Sequence, residues 1–389
     1  MRTRLDDPSD MRILVATTTG FHLRHLAGCL IGMGINTTFL TYLPDFKIRQ
    51  FGIPKSNSKS LFWRLQPWSS AALFRYSRSI VQSSTEKMLE LTDNEIAKAM
   101  PPCDVFIGLS AMAVKCALRA RNEYGAKIII DRGARHVLSQ NDLISHQSNS
   151  ALTKYYIDRE LASYKTADYI ALPSGHAVQS FLDVGYPPTK LFKNAYGVDF
   201  NLFHPQATPR PPLNLVFVGA WSYQKGADIL STALDRIPDC RLTHVGTRVN
   251  VPYPTSDRFR AVGYIPPHQL SRILGDHHVL VLPSRQDGFG MVIQEALACG
   301  LRVVASNMTG APDVLESISR KDVVEIIKPG CVDSLVAGIK SVEAGALSES
   351  SPRLLLTDQD KESLGWSAYA QRYVQFMSKI MQTSADVKA

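Results

Sequence analysis

Residues 12–43, RILVATTTGFHLRHLAGCLIGMGINTTFLTYL, decide the fold class. An apolar run leads through a Thr/Gly turn into an amphipathic stretch from Phe21 to Gly32, and a second apolar run follows. Strand, turn, helix and strand at this spacing predict a βαβ unit, which favours a parallel sheet with helices on both faces. The turn lacks G-x-G-x-x-G, so a nicotinamide-binding site is not indicated.

The same alternation of strand and helix signals continues along the chain. The further strand signals are CDVFIGL, AKIIID and DYIALPS, then NLVFVGA, RLTHVG, HHVLVLPS and LRVVAS. A proline-dense connector, FHPQATPRPPL, separates the two groups because its prolines cannot continue regular structure. We therefore predict an α/β protein with Rossmann-like doubly wound domains at 1–205 and 206–358, and a C-terminal helix and tail at 359–389.

Composition sets limits on the class of protein. A chain of 389 residues with 45% hydrophobic residues has apolar material for two cores. No apolar run reaches the roughly 18 residues of a transmembrane helix, and the amino terminus does not resemble a signal peptide. Six scattered cysteines form no Cys-x-x-Cys pair and have no histidine at metal-ligand spacing. We expect a cytoplasmic protein without a metal site.

Residues 46–85 carry nearly all of the net charge of +8, because the stretch contains no Asp or Glu. Its cations are Lys47, Arg49, Lys55, Lys59, Arg64, Arg75 and Arg78, and they alternate with Phe51, Phe62, Trp63, Trp68 and Phe74. Three interpretations stay open. The stretch could dock on an anionic membrane, where each cation contributes about 1 kcal/mol. It could bind nucleic acid, although no recognised motif accompanies it, or it could be a solvated loop.

The segment VGAWSYQKGADIL, residues 218–230, has the pattern of an anion site. A strand ends at Gly219, and Lys225 comes just before a helix start. The lysine charge adds to the partial positive charge of the helix amides, which suits a phosphate or diphosphate. The alternative is a solvated loop lysine.

The segment SRQDGFGMVIQEALACG, residues 284–300, combines two acids with a glycine-rich turn. Its glycines let backbone amides face a ligand, ahead of a helix predicted to begin near Gly290. Glu295 lies about 7.5 Å farther along the helix axis. Asp287 and Glu295 therefore suit two hydroxyl-bearing ends of one long ligand. Alternatively, Asp287 caps the helix and Glu295 is a surface residue.

Two turns of the first half could contact a second substrate. Gly20, Phe21 and His22 follow the first strand and could let a ligand approach the helix start, or they form a plain strand-to-helix turn. The strand AKIIID is followed by a polar group of residues: Asp131, Arg132, Gly133, Arg135 and His136. Asp131 and Arg132 could equally form a local ion pair.

Six segments, in order and at matching spacing, resemble the GT4 family of retaining glycosyltransferases with the GT-B fold. They are YKTADYIALPS, KLFKNAYGVDFNLFHP, LVFVGAWSYQKG, AVGYIPPHQL, VLVLPSRQDGFGMVIQEALACGLRVVAS and TGAPDVL. The resemblance covers about residues 12 to 380. It implies an acceptor-binding first domain that faces a nucleotide-sugar-binding second domain across a cleft. It also implies that the C-terminal helix returns to the first domain.

The resemblance implies roles for individual residues. Lys225 would bind the donor diphosphate, and Glu295 would bind the ribose hydroxyls. Asp287, with the backbone of Phe289 and Gly290, would hold the transferring sugar. The predicted donor-binding residues are Gly219, Lys225, Arg285, Gly288, Phe289, Gly290, Met291 and Glu295; the predicted acceptor-binding residues are Gly20, Phe21, His22, Arg132 and His136; and the predicted catalytic residues are Asp287, His136 and Lys225.

The chain departs from the family pattern at three points. Asp287 stands where the family usually has glutamate, so sugar preference is open. Ala220 stands where the family often has an arginine beside the phosphates, and Arg285 is a speculative substitute. His136 is the candidate partner of the reacting sugar, but the usual His-Asp pair is absent from this segment.

These features predict transfer of a sugar from a nucleoside-diphosphate-sugar donor, with retention, to a glycan or lipid-linked acceptor in cell-surface polysaccharide or glycolipid biosynthesis. The donor is a substrate, and no cofactor or nucleic acid is expected. One alternative is a nucleotide-sugar epimerase on the same fold, and another is a basic nucleic-acid-binding protein.

Overall fold

The protein is described by a computed structural model that covers residues 11–18, 22–65, 78–145 and 152–386, with residues 65, 78–85 and 383–386 described by their backbone alone. The first half contains strands β1 (Ile13–Thr17), β2 (Thr37–Thr41), β3 (Ser58–Ser60), β4 (Val105–Leu109), β5 (Lys127–Asp131), β6 (Tyr169–Leu172) and β7 (Leu191–Lys193). They form one parallel sheet in the order β3-β2-β1-β4-β5-β6-β7.

Helices connect these strands: α1 (His22–Gly32), α2 (Asp45–Gln50), α3 (Arg78–Ala99), α4 (Lys115–Tyr124), α5 (Val137–Ser145), α6 (Lys154–Thr166) and α7 (Gly175–Leu182). Strand β1 shows why the sheet is covered on both faces. Ile13 and Val15 belong to one buried apolar cluster, and Leu14 and Ala16 belong to another. Successive side chains of a strand point to opposite faces, so a strand that is apolar throughout needs helices on both sides.

The second half repeats this plan with strands β8 (Leu213–Val218), β9 (Cys240–Val245), β10 (Phe259–Gly263), β11 (Val279–Leu282), β12 (Arg302–Ser306) and β13 (Val324–Ile327). They form a parallel sheet in the order β10-β9-β8-β11-β12-β13. Its helices are α8 (Ala227–Arg236), α9 (Pro267–Gly275), α10 (Val292–Ala298), α11 (Ala311–Ser317), α12 (Val332–Ser348) and α13 (Asp358–Leu364). The predicted α/β class with two doubly wound sheets is confirmed.

The last helix, α14 (Trp366–Asp386), returns to the first sheet and packs on α1. Tyr369 and Tyr373 are fully buried in this contact, and the rings of His25 and Trp366 stack 4.1 Å apart. The predicted return of the C-terminal helix is therefore confirmed. The domain boundaries at 205/206 and 358/359 stay a prediction.

The order of each sheet reverses beside one strand. In the first sheet this strand is β1, between β2 and β4, and in the second it is β8, between β9 and β11. Ligands of open parallel sheets bind in the crevice at the carboxyl ends of the strands where the order reverses. The loops after β8 and β11 contain residues singled out by the sequence, and His22 begins the helix that follows β1, so the fold places these residues at ligand-binding edges.

Two local expectations are refined. The helix predicted near Gly290 begins at Val292, with Met291 as its N-cap. The basic stretch contains α2 and β3 between residues 45 and 60, so this part is not a plain loop. Trp68, Phe74 and Arg75 lie outside the described residues, and Arg78 is described by its backbone alone. In the part of the chain that the structure describes, no helix combines the length and apolar character needed to cross a bilayer.

Candidate active site

The loop after β8 is shaped by two glycines with positive φ. Gly219 has φ 137°, and its carbonyl oxygen lies 2.9 Å from Nε2 of His244. Gly226 has φ 74°, and a Cβ atom at this position would overlap the carbonyl oxygen of Pro283, just after β11. The loop carrying Lys225 is thereby packed directly against the loop carrying Asp287.

Lys225 and Asp287 form an ion pair across these two loops, with 2.6 Å between Nζ and Oδ2. Their side chains are 21% and 18% exposed, so the pair is accessible without being fully solvated. The structure therefore brings together two residues that the resemblance assigns to adjacent parts of one ligand. Asp287 lies outside α10 and makes this pair instead of capping the helix.

The turn that follows Asp287 is held rigidly. The amide of Asp287 donates to the carbonyl oxygen of Met308 at 2.9 Å, and the amide of Gly310 donates to the carbonyl oxygen of Phe289 at 2.6 Å. Phe289 is 2% exposed, and Gly290 has φ 76°. These two hydrogen bonds tie the turn to the loop that follows β12.

Glu295 lies on α10, where a largely buried helix leaves it only partly accessible. Burial raises the pKa of its carboxyl to about 7. Within the described residues this carboxyl has no hydrogen-bond partner, so it differs from a solvated surface acid. A half-buried carboxylate without a partner is suited to accept hydrogen bonds from ligand hydroxyls.

Arg285 is already engaged. Its Nη1 and Nη2 atoms lie 2.6 and 2.7 Å from the two carboxylate oxygens of Asp228, and the guanidinium stacks 3.5 Å over the ring of Tyr223. A role beside phosphates would require this bidentate pair to open. Lys225 is therefore the better-placed cation, and the phosphate role of Arg285 stays a prediction.

The first sheet contributes a histidine-carboxylate pair. Nε2 of His22, the first residue of α1, lies 2.7 Å from Oδ1 of Asp131, the last residue of β5. The ring of His22 stacks on Tyr196 with centroids 4.3 Å apart. The two partners are 109 positions apart and meet only through the sheet order, so no local spacing predicts this pair. Gly20 and Phe21 lie outside the described residues.

The other predicted acceptor residues are buried in the first domain. Arg132 is 4% exposed and pairs at 2.6 Å with Glu160 instead of Asp131, so the local ion pair considered above does not form. His136 is 2% exposed among Tyr164, Phe181 and Tyr186. Burial, aided by the charge of Arg132, lowers the pKa of His136 to about 4. These aromatic neighbours all lie in the first half of the chain. The role of His136 beside a reacting sugar stays a prediction.

The two sheets meet at this point. A Cβ atom at Gly288 would overlap the carbonyl oxygen of Gly133, and Oγ of Ser174 donates to the carbonyl oxygen of Gly288 at 2.8 Å. The rings of Tyr196 and Phe289 lie 5.5 Å apart, edge to face. The His22–Asp131 pair and the Asp287 turn therefore border the same cleft.

Further residues lie between the sheets. Asp313 of α11 accepts the amide of Gly175 and the ammonium of Lys193, at 2.9 and 2.8 Å. Ser174 lies in the segment ALPS and Asp313 lies in the segment TGAPDVL. The resemblance of these segments to the family is the sequence signal that could have found the two residues. Within the described residues, no group of three or more His, Cys, Asp or Glu side chains could hold a metal ion.

Comparison with known proteins adds to this geometry. Residues 212–343 match the family model for Glycosyl transferases group 1. The match covers the second sheet, from β8 to β13, which is about a third of the chain. The chain is 24% identical over 199 residues to a sulfoquinovosyl transferase of Arabidopsis thaliana, a match covering 46% of this chain and 38% of that protein. It is 30% identical over 164 residues to a D-inositol 3-phosphate glycosyltransferase of Segniliparus rotundus, covering 36% of each chain. The matched segments thus span well under half of these relatives.

Solved structures share the whole GT-B fold of the chain. Sucrose-phosphate synthase from Thermosynechococcus elongatus superposes with a TM-score of 0.70 at 17% identity, over 96% of this chain and all of that one. Anabaena HepE, in complex with UDP and glucose, superposes with a TM-score of 0.64 at 15% identity, over 95% of this chain and all of that one. The fold therefore extends beyond the matched second domain to both halves of the chain.

Proposed function

We propose that the protein is a retaining glycosyltransferase of the hexosyltransferase type, which moves a sugar from a nucleoside diphosphate to a hydroxyl group of a glycan or lipid-linked acceptor. The observation that carries the proposal is the half-buried Lys225–Asp287 pair, at the strand ends of the sheet that matches the family Glycosyl transferases group 1. Retention is supported by the GT4 resemblance.

The donor would replace the Lys225–Asp287 pair with its own contacts. Its diphosphate takes the ammonium of Lys225, and a hydroxyl of the transferring sugar donates to Asp287. At the far end, ribose hydroxyls donate to Glu295. Lys225 then pairs with the diphosphate, and Asp287 accepts a hydrogen bond from the sugar. These contacts offset the cost of opening the ion pair.

During transfer, the bond between the sugar's anomeric carbon and the diphosphate breaks with its electron pair on the diphosphate. The acceptor oxygen forms the new bond and loses its proton to a base. Negative charge therefore grows beside Lys225 and the amides at the start of α8. A preorganised group of this kind stabilises the transition state by on the order of 3 kcal/mol.

The acceptor is proposed to be presented at a membrane surface on the cytoplasmic side. Phe46 is 55% exposed and Trp63 is 81% exposed, and both belong to the basic stretch of the first domain. Lys47, Arg49, Lys55, Lys59 and Arg64 are exposed beside them. Exposed aromatic rings interleaved with cations suit the interface of an anionic bilayer. A role in cell-surface polysaccharide or glycolipid synthesis follows from such an acceptor.

The activity is tested by nucleoside diphosphate release from UDP-glucose, UDP-galactose, UDP-N-acetylglucosamine and GDP-mannose, with bacterial glycolipid extract as the acceptor source. Lys225→Ala and Glu295→Ala should reduce release at least 100-fold while the melting temperature stays within a few degrees. Lys340→Ala, which removes an exposed lysine of α12, should retain activity. Full activity in either site variant, or an epimerised free donor without acceptor, would contradict the proposal.

A further inference from the structure

The loop that carries Lys225 is joined to the loop that follows β11. The carbonyl oxygen of Gln224 accepts the amides of Arg285 and Gln286, at 2.9 and 3.3 Å. The side chain of Gln224 adds a further contact, since its Nε2 atom donates to Oε1 of Gln286 at 2.9 Å. Gln286 is 1% exposed, so this bond ties the loop to a buried side chain. The two loops are therefore held together at the residue that precedes Lys225.

Arg285 adds a second connection between the same two loops. Its Nη1 atom donates to the carbonyl oxygen of Tyr223 at 2.7 Å, and its guanidinium lies 3.5 Å over the ring of that tyrosine. Both terminal nitrogens also meet the carboxylate of Asp228, in the first turn of α8. Tyr223 and Asp228 lie on either side of Lys225 in the sequence. Arg285 therefore spans the segment that contains Lys225.

The contacts of Arg285 require the shape of a guanidinium. A planar fork can meet both oxygens of a carboxylate while its face lies on an aromatic ring. An ammonium carries the same charge, but it cannot form the bidentate pair and the stacked contact together. The side chain of Arg285 is 15% exposed and its fork is occupied, so a phosphate would have to displace the carboxylate of Asp228. These contacts favour a role in holding the loop over a role as a phosphate ligand.

We propose that Arg285 is a positioning residue: with Gln224 and Gln286 it forms a clamp that holds the loop of Lys225 against the Asp287 turn. The inference rests on the proposed function, in which the ammonium of Lys225 meets the donor diphosphate. A lysine ammonium is a point charge on a flexible stem, so its placement depends on the backbone that carries it. In the clamped loop, Nζ of Lys225 lies 2.6 Å from Oδ2 of Asp287.

The clamp is tested first without a ligand, by hydrogen exchange of the segment around Lys225 measured by mass spectrometry. Arg285→Lys and Arg285→Gln should both exchange faster in this segment than wild type, because both lose the fork. The matched control is Arg236→Gln, which opens another arginine–aspartate pair of α8, with 2.7 Å between Nη1 of Arg236 and Oδ1 of Asp333. This control should leave the segment unchanged. Wild-type exchange in either Arg285 variant would overturn the clamp.

The consequence for the donor is tested by calorimetry with UDP and with GDP. Lys225→Ala should weaken the binding of the nucleoside diphosphate roughly tenfold or more. Arg285→Lys and Arg285→Gln should each weaken it about fivefold, although lysine keeps the charge that a direct phosphate contact would use. A purely structural role would lower the melting temperature and leave the affinity of the folded protein unchanged. Retained affinity in Arg285→Lys would therefore refute positioning and leave the proposed function standing.

A double variant shows whether Arg285 acts through Lys225. Adding Arg285→Lys to Lys225→Ala should cause no loss beyond that of Lys225→Ala alone, because the clamp places a side chain that is no longer present. Losses that multiply would mean that Arg285 acts independently, and would refute the inference alone. Equal binding of UDP and GDP by wild type and Lys225→Ala would instead remove the proposed function and, with it, this inference.

Gln224→Ala covers a failure of the Arg285 variants to fold. It leaves the Arg285–Asp228 pair intact and removes the side-chain bond to Gln286. A role in holding the loop predicts faster exchange around Lys225 and a loss of about twofold in affinity for the nucleoside diphosphate. A direct phosphate contact of Arg285 predicts no change in either measurement. Wild-type exchange and affinity in Gln224→Ala would contradict the clamp.

Discussion

The two sides of the cleft are built in different ways. On the second-domain side, Lys225 and Asp287 lie in loops that the sequence predicts from a preceding strand, glycines and a following helix start. On the first-domain side, His22, Asp131 and Tyr373 come from the start, the middle and the end of the chain. The first kind of site is encoded by local motifs. The second is encoded by topology, and it exists only once the sheet order and the returning helix are formed.

The largest effect is expected at the contact between the two sides of the cleft. A Cβ atom at Gly288 would overlap the backbone of Gly133, so Gly288→Ala must displace the donor turn from the first domain. Displacement of reacting groups by about 1 Å can cost about 100-fold in rate. We expect at least that loss of turnover, measured by nucleoside diphosphate release.

Gly28 of α1 supplies the matched control. The nearest atom to its Cβ position is 3.8 Å away, so alanine fits. Gly28→Ala should keep full turnover and gain about 0.5–1 kcal/mol in the free energy of unfolding, because alanine is the better helix former. Similar turnover in Gly28→Ala and Gly288→Ala would show that the contact between the sides does not matter.

The proposed membrane contact would involve the first-domain side alone. Replacing both Lys47 and Arg49 of α2 with alanine removes about 2 kcal/mol of attraction to an anionic bilayer, or roughly 30-fold in partitioning. Sedimentation with vesicles containing phosphatidylglycerol measures this loss. The double variant Lys328→Ala/Lys340→Ala removes two exposed lysines of the second domain and should bind like wild type. Equal losses in the two double variants would argue for general charge attraction.

Glu295 makes the second-domain side sensitive to pH. Its raised pKa of about 7 means that the empty site is protonated below that pH, whereas donor hydroxyls bind the ionised form. Affinity for the donor should therefore be constant above pH 8 and fall about tenfold per unit below about pH 7.

Calorimetry with Glu295→Gln provides the comparison for this prediction. The variant should bind more weakly at pH 8 and lose the pH dependence. Its melting temperature at pH 8 should not fall, because a carboxyl whose pKa is raised in the folded protein costs stability once it ionises. An unchanged pH profile in Glu295→Gln would assign the titration to another group.

The smallest expected effect concerns Asp287, which stands where the family usually has the longer glutamate. Asp287→Glu adds one methylene beside the transferring sugar and should change the ratio of kcat/KM between two sugars carried by the same nucleotide. One methylene is worth about 1 kcal/mol at the low end, roughly fivefold. Competition between UDP-glucose and UDP-galactose measures the ratio. An identical ratio in wild type and variant would mean that the length of this side chain does not set sugar choice.

The sequence was sufficient to predict the parallel sheets, the loops containing Lys225 and Asp287, and the helix containing Glu295, because apolar runs, glycines and helix starts are local signals. The sequence was insufficient to predict which side chains pair with each other. Arg285 was a speculative phosphate-binding residue, yet it pairs with Asp228, 57 positions away. The His22–Asp131–Tyr373 chain spans separations of 109 and 242 positions, which no local spacing rule can connect.

Donor binding at Lys225 is tested by the thermal stabilisation of wild type and Lys225→Ala with the panel of nucleotide sugars, and the matching sugar 1-phosphates serve as controls. A ligand that binds only the folded protein raises its stability by about 2.7 kcal/mol at 100 times Kd. We expect at least one nucleotide sugar to raise the melting temperature of wild type by several degrees. Lys225→Ala should show little rise, and sugar 1-phosphates should cause little rise in either protein. Equal stabilisation of both proteins, or none of wild type by any nucleotide sugar, would contradict donor binding at Lys225.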